Sequence, residues 1–147
     1  MAADADPDSP TRTGGCACGA VRYSVRGPLR PVIACHCRTC RHQSGHVMAA
    51  TRAPRKRVAI AGAANLTWYN AREYAERGFC ATCGSHLFFQ PLGSLDVSIF
   101  AGSLDDPTGL ALAGHIHVAE KADYDIIADG LPCCDAGDAA AILNREG

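Results

Sequence analysis

Cys16-Ala17-Cys18-Gly19, Cys35-His36-Cys37-Arg38-Thr39-Cys40 and Cys80-Ala81-Thr82-Cys83-Gly84 hold seven of the nine cysteines in a chain of 147 residues. At such spacings a short stretch of chain can curl several thiolates around one ion. Seven thiols divide into four and three: four close a tetrahedral zinc site, and three leave a coordination position for water or substrate. Two of the clusters end in Cys-Gly, where a glycine can take positive φ and let backbone N–H groups approach the sulfur. On that basis Cys16, Cys18, Cys80 and Cys83 pair as a structural four-thiolate site. Gly14, Gly15 and Gly19 then supply the bend that the short Cys16-x-Cys18 spacing needs.

The middle cluster, Cys35, Cys37 and Cys40, has no following glycine and is flanked by Arg38 and Arg41. It reads as a second, open zinc site suited to a soft exogenous thiol, with guanidinium groups beside it for carboxylates. The same spacing also admits a closed site with His36, His42 or His46 as fourth ligand. Of these His46 is best placed, because Gly45 lets the chain turn back, whereas His36 lies between two ligands and should point away. The spacings do not match the common ferredoxin runs.

Composition narrows the classes. A net charge of −1 with 20% charged residues gives no strong field for nucleic acid or a membrane surface. The basic run Arg52, Arg55, Lys56 and Arg57 is short and reads as a solvated loop, with phosphate or carboxylate binding as the alternative. No apolar stretch approaches membrane-spanning length, and the acidic, proline-containing start has no secretory apolar core. The expected location is the cytoplasm, where cysteines serve metal or thiol chemistry rather than disulfides.

Residues 1–13 read as a disordered leader, 14–135 as one β domain of antiparallel sheets stapled by zinc knuckles, and 136–147 as a tail with a short helix. Val21, Tyr23 and Val25 alternate with arginine and serine, the period of a half-buried strand. Further strands are expected at Val32–Ala34, Val47–Thr51, Val58–Ala61, Leu66–Tyr69, Glu73–Phe79, Leu87–Phe89, Leu95–Phe100 and His115–Ala119. Arg38–Ser44 and Asp138–Asn144 are the helical candidates, and Ser103–Gly109 is turn chemistry. Trp68 and Tyr69 read as core, His86 as structural, and Cys133 and Cys134 as free thiols. His115 and His117 share one face of the expected strand, structural or lining a pocket.

These motifs, with Gly14-Gly15-Cys16-Ala17-Cys18-Gly19-Ala20-Val21-Arg22-Tyr23 and Gly78-Phe79-Cys80 around the ligands, resemble the glutathione-dependent formaldehyde-activating enzyme family, which includes the centromere protein V domain. The likeness continues through Gly102-Ser103-Leu104-Asp105-Asp106-Pro107, His115-Ile116, Glu120-Lys121 and Asp129-Gly130-Leu131-Pro132. It implies a β-tent fold with two zinc sites. Cys16, Cys18, Cys80 and Cys83 match the family's structural zinc ligands, and Cys35, Cys37 and Cys40 match the ligands of its catalytic zinc. It further implies a carbon–sulfur lyase that condenses glutathione, as co-substrate, with formaldehyde to S-(hydroxymethyl)glutathione. Small-molecule thiol and aldehyde partners follow; no membrane partner is expected, and the −1 charge and the lack of a long basic run disfavour nucleic acid. A related thiol and aldehyde pair is a second reading. A third is a non-catalytic zinc module binding glutathione, protein or nucleic acid.

Overall fold

The computed structural model describes residues 10–71 and 74–144. The fold is mainly β. In chain order its strands are β1 (Thr11–Gly15), β2 (Arg22–Arg26), β3 (Val32–Cys35), β4 (Met48–Pro54), β5 (Val58–Ala61), β6 (Leu66–Ala71), β7 (Ala75–Cys80), β8 (His86–Pro91), β9 (Asp96–Phe100) and β10 (Leu112–Ile116). Two short helices accompany them, α1 (Arg38–Ser44) and α2 (Ala139–Leu143). The residues expected as one domain are distributed over two compact units. The first takes the chain up to Arg30 and Thr51–Gly109, and the second takes Pro31–Ala50 and the chain from Leu110 on.

In the first unit β1, β2 and β5 form an antiparallel sheet in the order β1-β2-β5, with Tyr23 opposite both Gly14 and Ile60. The alternation in β2 buries Tyr23 and Val25 and leaves Arg22 and Arg26 in solvent. A meander of β6, β7, β8 and β9 carries the other half of the core, where Leu87, Phe88, Val97 and Ile99 are buried. Phe88 is the meeting point: Tyr23 packs edge-on against its ring at 5.1 Å and Trp68 stacks on it at 6.0 Å. Trp68 reaches across because its register partner is Gly78, whose missing side chain leaves room for the indole.

In the second unit β3 runs parallel to β10 and antiparallel to the first half of β4. Val32, Ile33 and Ala34 are all buried, the uninterrupted apolar run of a strand covered on both faces. The segment after Gly130 lies along the other edge of β10, with His115 N–H bonded to Pro132 C=O at 2.9 Å and Cys134 N–H to His115 C=O at 2.8 Å. Ile142 of α2 fills the space over Gly114.

Several boundaries depart from the sequence reading. β1 opens at Thr11, inside the segment expected as leader, because its backbone has β2 to pair with. Residues 1–9 of that leader, Glu73 and the last residues of the tail, 145–147, lie outside the described residues. Gly14 and Gly15 sit in β1 rather than in a bend, and a side chain on Gly14 would strike the Tyr23 hydroxyl and the Ser103 carbonyl. Leu95 is 86% exposed, so β9 begins one residue later, and Tyr69 is at the surface rather than in the core. The expected His115–Ala119 strand ends at Ile116, since His117 takes the left-handed conformation (φ 53°) and starts a 3-10 turn. Arg55–Arg57 form another such turn, in which Arg55 donates to Val58 C=O at 2.9 Å.

The Gly14 contacts yield a test. Gly14→Ala places a Cβ 2.5 Å from the Ser103 carbonyl oxygen, which is backbone and cannot swing aside. Urea unfolding should show a loss of about 1–3 kcal/mol, and an unchanged midpoint would refute the close approach.

Candidate metal centres

Four thiols converge in the first unit: the sulfurs of Cys16, Cys18, Cys80 and Cys83 all lie within 4.8 Å of one another. Cys16 Sγ is 3.6 Å from Cys18 Sγ, which is 3.7 Å from Cys80 Sγ. A tetrahedron of thiolates around zinc, with Zn–S near 2.3 Å, separates its sulfurs by about 3.8 Å. The set therefore fits zinc in donor type, number and spacing. Both knuckles close as their glycines require: Gly19 (φ 81°) bonds back to Cys16 C=O at 3.3 Å, and Gly84 (φ 77°) to Cys80 C=O at 2.8 Å.

N–H and O–H groups point at these sulfurs. Val21 N–H donates to Cys16 Sγ at 3.2 Å, and Asn65 Nδ2 to Cys80 Sγ at 3.2 Å. Ser85 Oγ accepts from Ala17 N–H at 3.0 Å and donates to Cys83 Sγ at 3.2 Å, so one hydroxyl ties the two knuckles together. The Ser85 hydroxyl and N–H groups hold the Cys83 thiol down to about 5. At Cys18 the Ala20 N–H pulls the other way, but desolvation and the neighbouring Cys16, Cys83 and Cys80 sulfurs outweigh it and push the thiol up to about 11. Sequence reasoning named the four ligands and missed Asn65 and Ser85, though Ser85 directly follows the Cys-Gly knuckle.

Three thiols converge in the second unit: Cys35 at the end of β3, Cys37 capping α1, and Cys40 within α1 have sulfurs within 4.8 Å of one another. Cys40 N–H donates to Cys37 Sγ at 3.3 Å, and Gly45, left-handed at φ 83°, stops the helix. Hydrogen bonds from the Cys35 and Cys40 thiols, with that N–H and His117 nearby, hold the Cys37 thiol down to about 2. The same sharing raises Cys35 far above the usual thiol range. In a trio of touching thiols, one sulfur carries charge and its neighbours supply protons, the electrostatic state that a divalent cation relieves.

Among the described residues no histidine joins either group of thiols. His36 points away from the cluster, as its place between two ligands requires: it is buried, with Nε2 2.9 Å from His115 Nδ1. His115 Nε2 in turn lies 2.8 Å from Asp129 Oδ2. His46, the candidate fourth ligand, instead stacks on Tyr124, with Nδ1 3.1 Å from the phenol oxygen. His42 is exposed on α1. His115 and His117 do not line one pocket, because the left-handed turn at His117 sends its ring to Glu120, 3.3 Å away. His86 lies among Phe79 and Phe100, and burial pushes its pKa down. Cys133 is exposed and Cys134 half-buried, and neither forms a disulfide. Arg38 is exposed, and Arg41 has a buried Nε with no hydrogen-bond partner. Tyr124 and Asp125 carried no motif signal, and Asp129, though within the quoted Asp129-Gly130-Leu131-Pro132 motif, was assigned no role at a site.

The family model for the glutathione-dependent formaldehyde-activating enzyme matches residues 11–120. Among solved structures, a crystal structure of a Rhodobacter sphaeroides protein is similar with 27% identity and a TM-score of 0.54, covering 70% of this chain and 98% of that one. No helix among the described residues is long and apolar enough to cross a membrane.

The opposed thiol shifts in the first cluster can be read chemically. Cys18 and Cys83 are both exposed. After metal removal, iodoacetamide at pH 7 should modify Cys83 about tenfold faster than Cys18, the thiolate advantage being partly offset by lower intrinsic nucleophilicity. Peptide mapping by mass spectrometry reads the ratio, and equal rates would contradict the assigned polarity.

Proposed function

The chain belongs to the glutathione-dependent formaldehyde-activating enzyme family, and from that premise we propose that it is a zinc-dependent carbon–sulfur lyase joining glutathione to formaldehyde. Cys16, Cys18, Cys80 and Cys83 hold a structural zinc, and Cys35, Cys37 and Cys40 hold the catalytic one. The observation that carries this reading is a trio of thiols within 4.8 Å, joined by no other ligand among the described residues. The chemistry a zinc ion supplies there is an open fourth position for an exogenous thiol, whose pKa it lowers.

The residues of the chain divide the remaining work. Cys35, Cys37 and Cys40 present sulfur only, which selects a soft, thiophilic occupant and a thiol-bearing substrate. Arg38 begins α1 and Arg41 lies on its next turn, so both adjoin the cluster in sequence, and their guanidinium groups are assigned to glutathione's carboxylates. The unsatisfied Arg41 Nε supports that role, since a buried donor without a partner is costly until an acceptor arrives. In the reaction the glutathione sulfur lone pair forms a bond to the formaldehyde carbon. The carbonyl π pair moves to oxygen, which takes up the proton released from the thiol, giving S-(hydroxymethyl)glutathione. Three thiolates would outweigh the charge of one zinc ion, so the chemistry such an ion would supply is thiol activation rather than carbonyl polarisation. Free thiols throughout suit a reducing compartment such as the cytoplasm.

NMR exchange spectroscopy of glutathione with formaldehyde measures the interconversion directly. The zinc-loaded protein should accelerate it, and Cys37→Ser should abolish the acceleration and one equivalent of zinc while keeping the fold. A rate equal to the uncatalysed one leaves a zinc-binding module without turnover and sinks the lyase reading; another thiol accelerated in place of glutathione reassigns the substrate. Cys83→Ser should behave differently, lowering the melting temperature by about 10 °C or more, because structural zinc binding is folding free energy. A melting temperature that does not move would remove the structural role.

A further inference from the structure

His36 is the most constrained side chain beside the second cluster. It is 2% exposed and lies between Cys35 and Cys37, yet neither ring nitrogen is directed to a thiol partner. Its Nε2 is 2.9 Å from His115 Nδ1, and its Nδ1 is 3.6 Å from Asp125 Oδ2. His115 is also buried and is held by its backbone on both edges of β10, through the parallel register with Ala34 and the Cys134 and Pro132 bonds. Its remaining nitrogen, Nε2, meets Asp129 Oδ2 at 2.8 Å, while Asp129 Oδ1 accepts from Leu131 N–H at 3.0 Å. The Leu131 N–H and His115 hold the Asp129 carboxyl below the ordinary carboxylate range.

Valence then orients every proton. A carboxylate only accepts, so His115 donates from Nε2, and the tautomer with its hydrogen there offers a lone pair at Nδ1. His36 must donate to that lone pair from its own Nε2. One carboxylate thereby sets two imidazole tautomers in series, ending on the residue between two ligand positions. Two buried imidazoles cost free energy unless they are hydrogen-bonded, and this chain satisfies them.

We propose that Asp129 and His115 are positioning residues for the second cluster: they anchor the buried His36 ring and through it fix the backbone bend that sets Cys35 beside Cys37. The inference rests on the reading of Cys35, Cys37 and Cys40 as a three-thiolate metal site. Asp129 thus acts on the cluster without touching it, through the same kind of outer hydrogen bond that orients histidine ligands elsewhere.

Cadmium-113 NMR of the full chain tests this, with ¹⁵N long-range spectra of the imidazoles. Wild type should bind two cadmium equivalents with two resonances, and His36 and His115 should both carry hydrogen on Nε2. His115→Ala should shift and broaden the second-cluster resonance and weaken that site about tenfold, leaving the four-thiolate resonance in place. Asp129→Asn should reverse both tautomers, since the amide donates where the carboxylate accepted, and should retain the wild-type cadmium resonance as a conservative rescue. Asp129→Ala, at a partly exposed side chain, repeats the loss if His115→Ala fails to fold. Two equivalents whose second resonance and affinity are unchanged in both alanine variants would overturn the positioning role alone. A single equivalent in wild type would overturn the metal reading beneath it.

Discussion

Thiols crowded within a few ångströms of one another cannot all ionise without a cation between them. Both units are built around that constraint. In the first, Cys83 is drawn down and Cys18 pushed up; in the second, Cys37 is drawn down and Cys35 pushed up. Each cluster in its metal-free state is electrostatically uneven, with some sulfurs keeping protons so that others can carry charge. A divalent ion removes the unevenness by taking all the sulfurs as thiolates, and so metal binding couples to folding and to proton release.

The two clusters sit on different scaffolds. In the first unit the ligands come from chain segments far apart in sequence, and the space between them is spanned by a sheet, a meander and the Phe88 core. An ion binding these four sulfurs would close a long loop, and so would restrict the unfolded chain more than one closing a short loop. In the second unit all three ligands lie within six residues, on the end of a buried strand and the first turn of α1. There the metal has little chain to gather, and the arrangement is suited to holding a reagent.

Among the described residues no histidine joins the second cluster. Sequence spacing offers three imidazoles as a fourth ligand, and in the structure each is engaged elsewhere or turned to solvent. His36 is tied through His115 to Asp129, and His46 is stacked on Tyr124. The polar partners come from residues 115–129, brought beside β3 by the parallel pairing of β10.

The two groups of converging cysteines were legible in the sequence because their chemistry is local. Cys-x-x-Cys-Gly and Cys-x-Cys-x-x-Cys describe turns of a few residues, and the four-plus-three division follows from the coordination preference of zinc. Strand periodicity was legible for the same reason: alternation in Val21-Arg22-Tyr23-Ser24-Val25 reports burial of one face whatever the partner strand. Tertiary structure decided what depends on a partner. Thr11–Gly15 became a strand because β2 lies alongside it, His117 left its strand through a left-handed turn, and Ser85 and Asn65 became donors to sulfur. The Asp129–His115–His36 chain was invisible for the same physical reason: a hydrogen bond is set by where two side chains meet, and these three meet only once β10 has docked on β3.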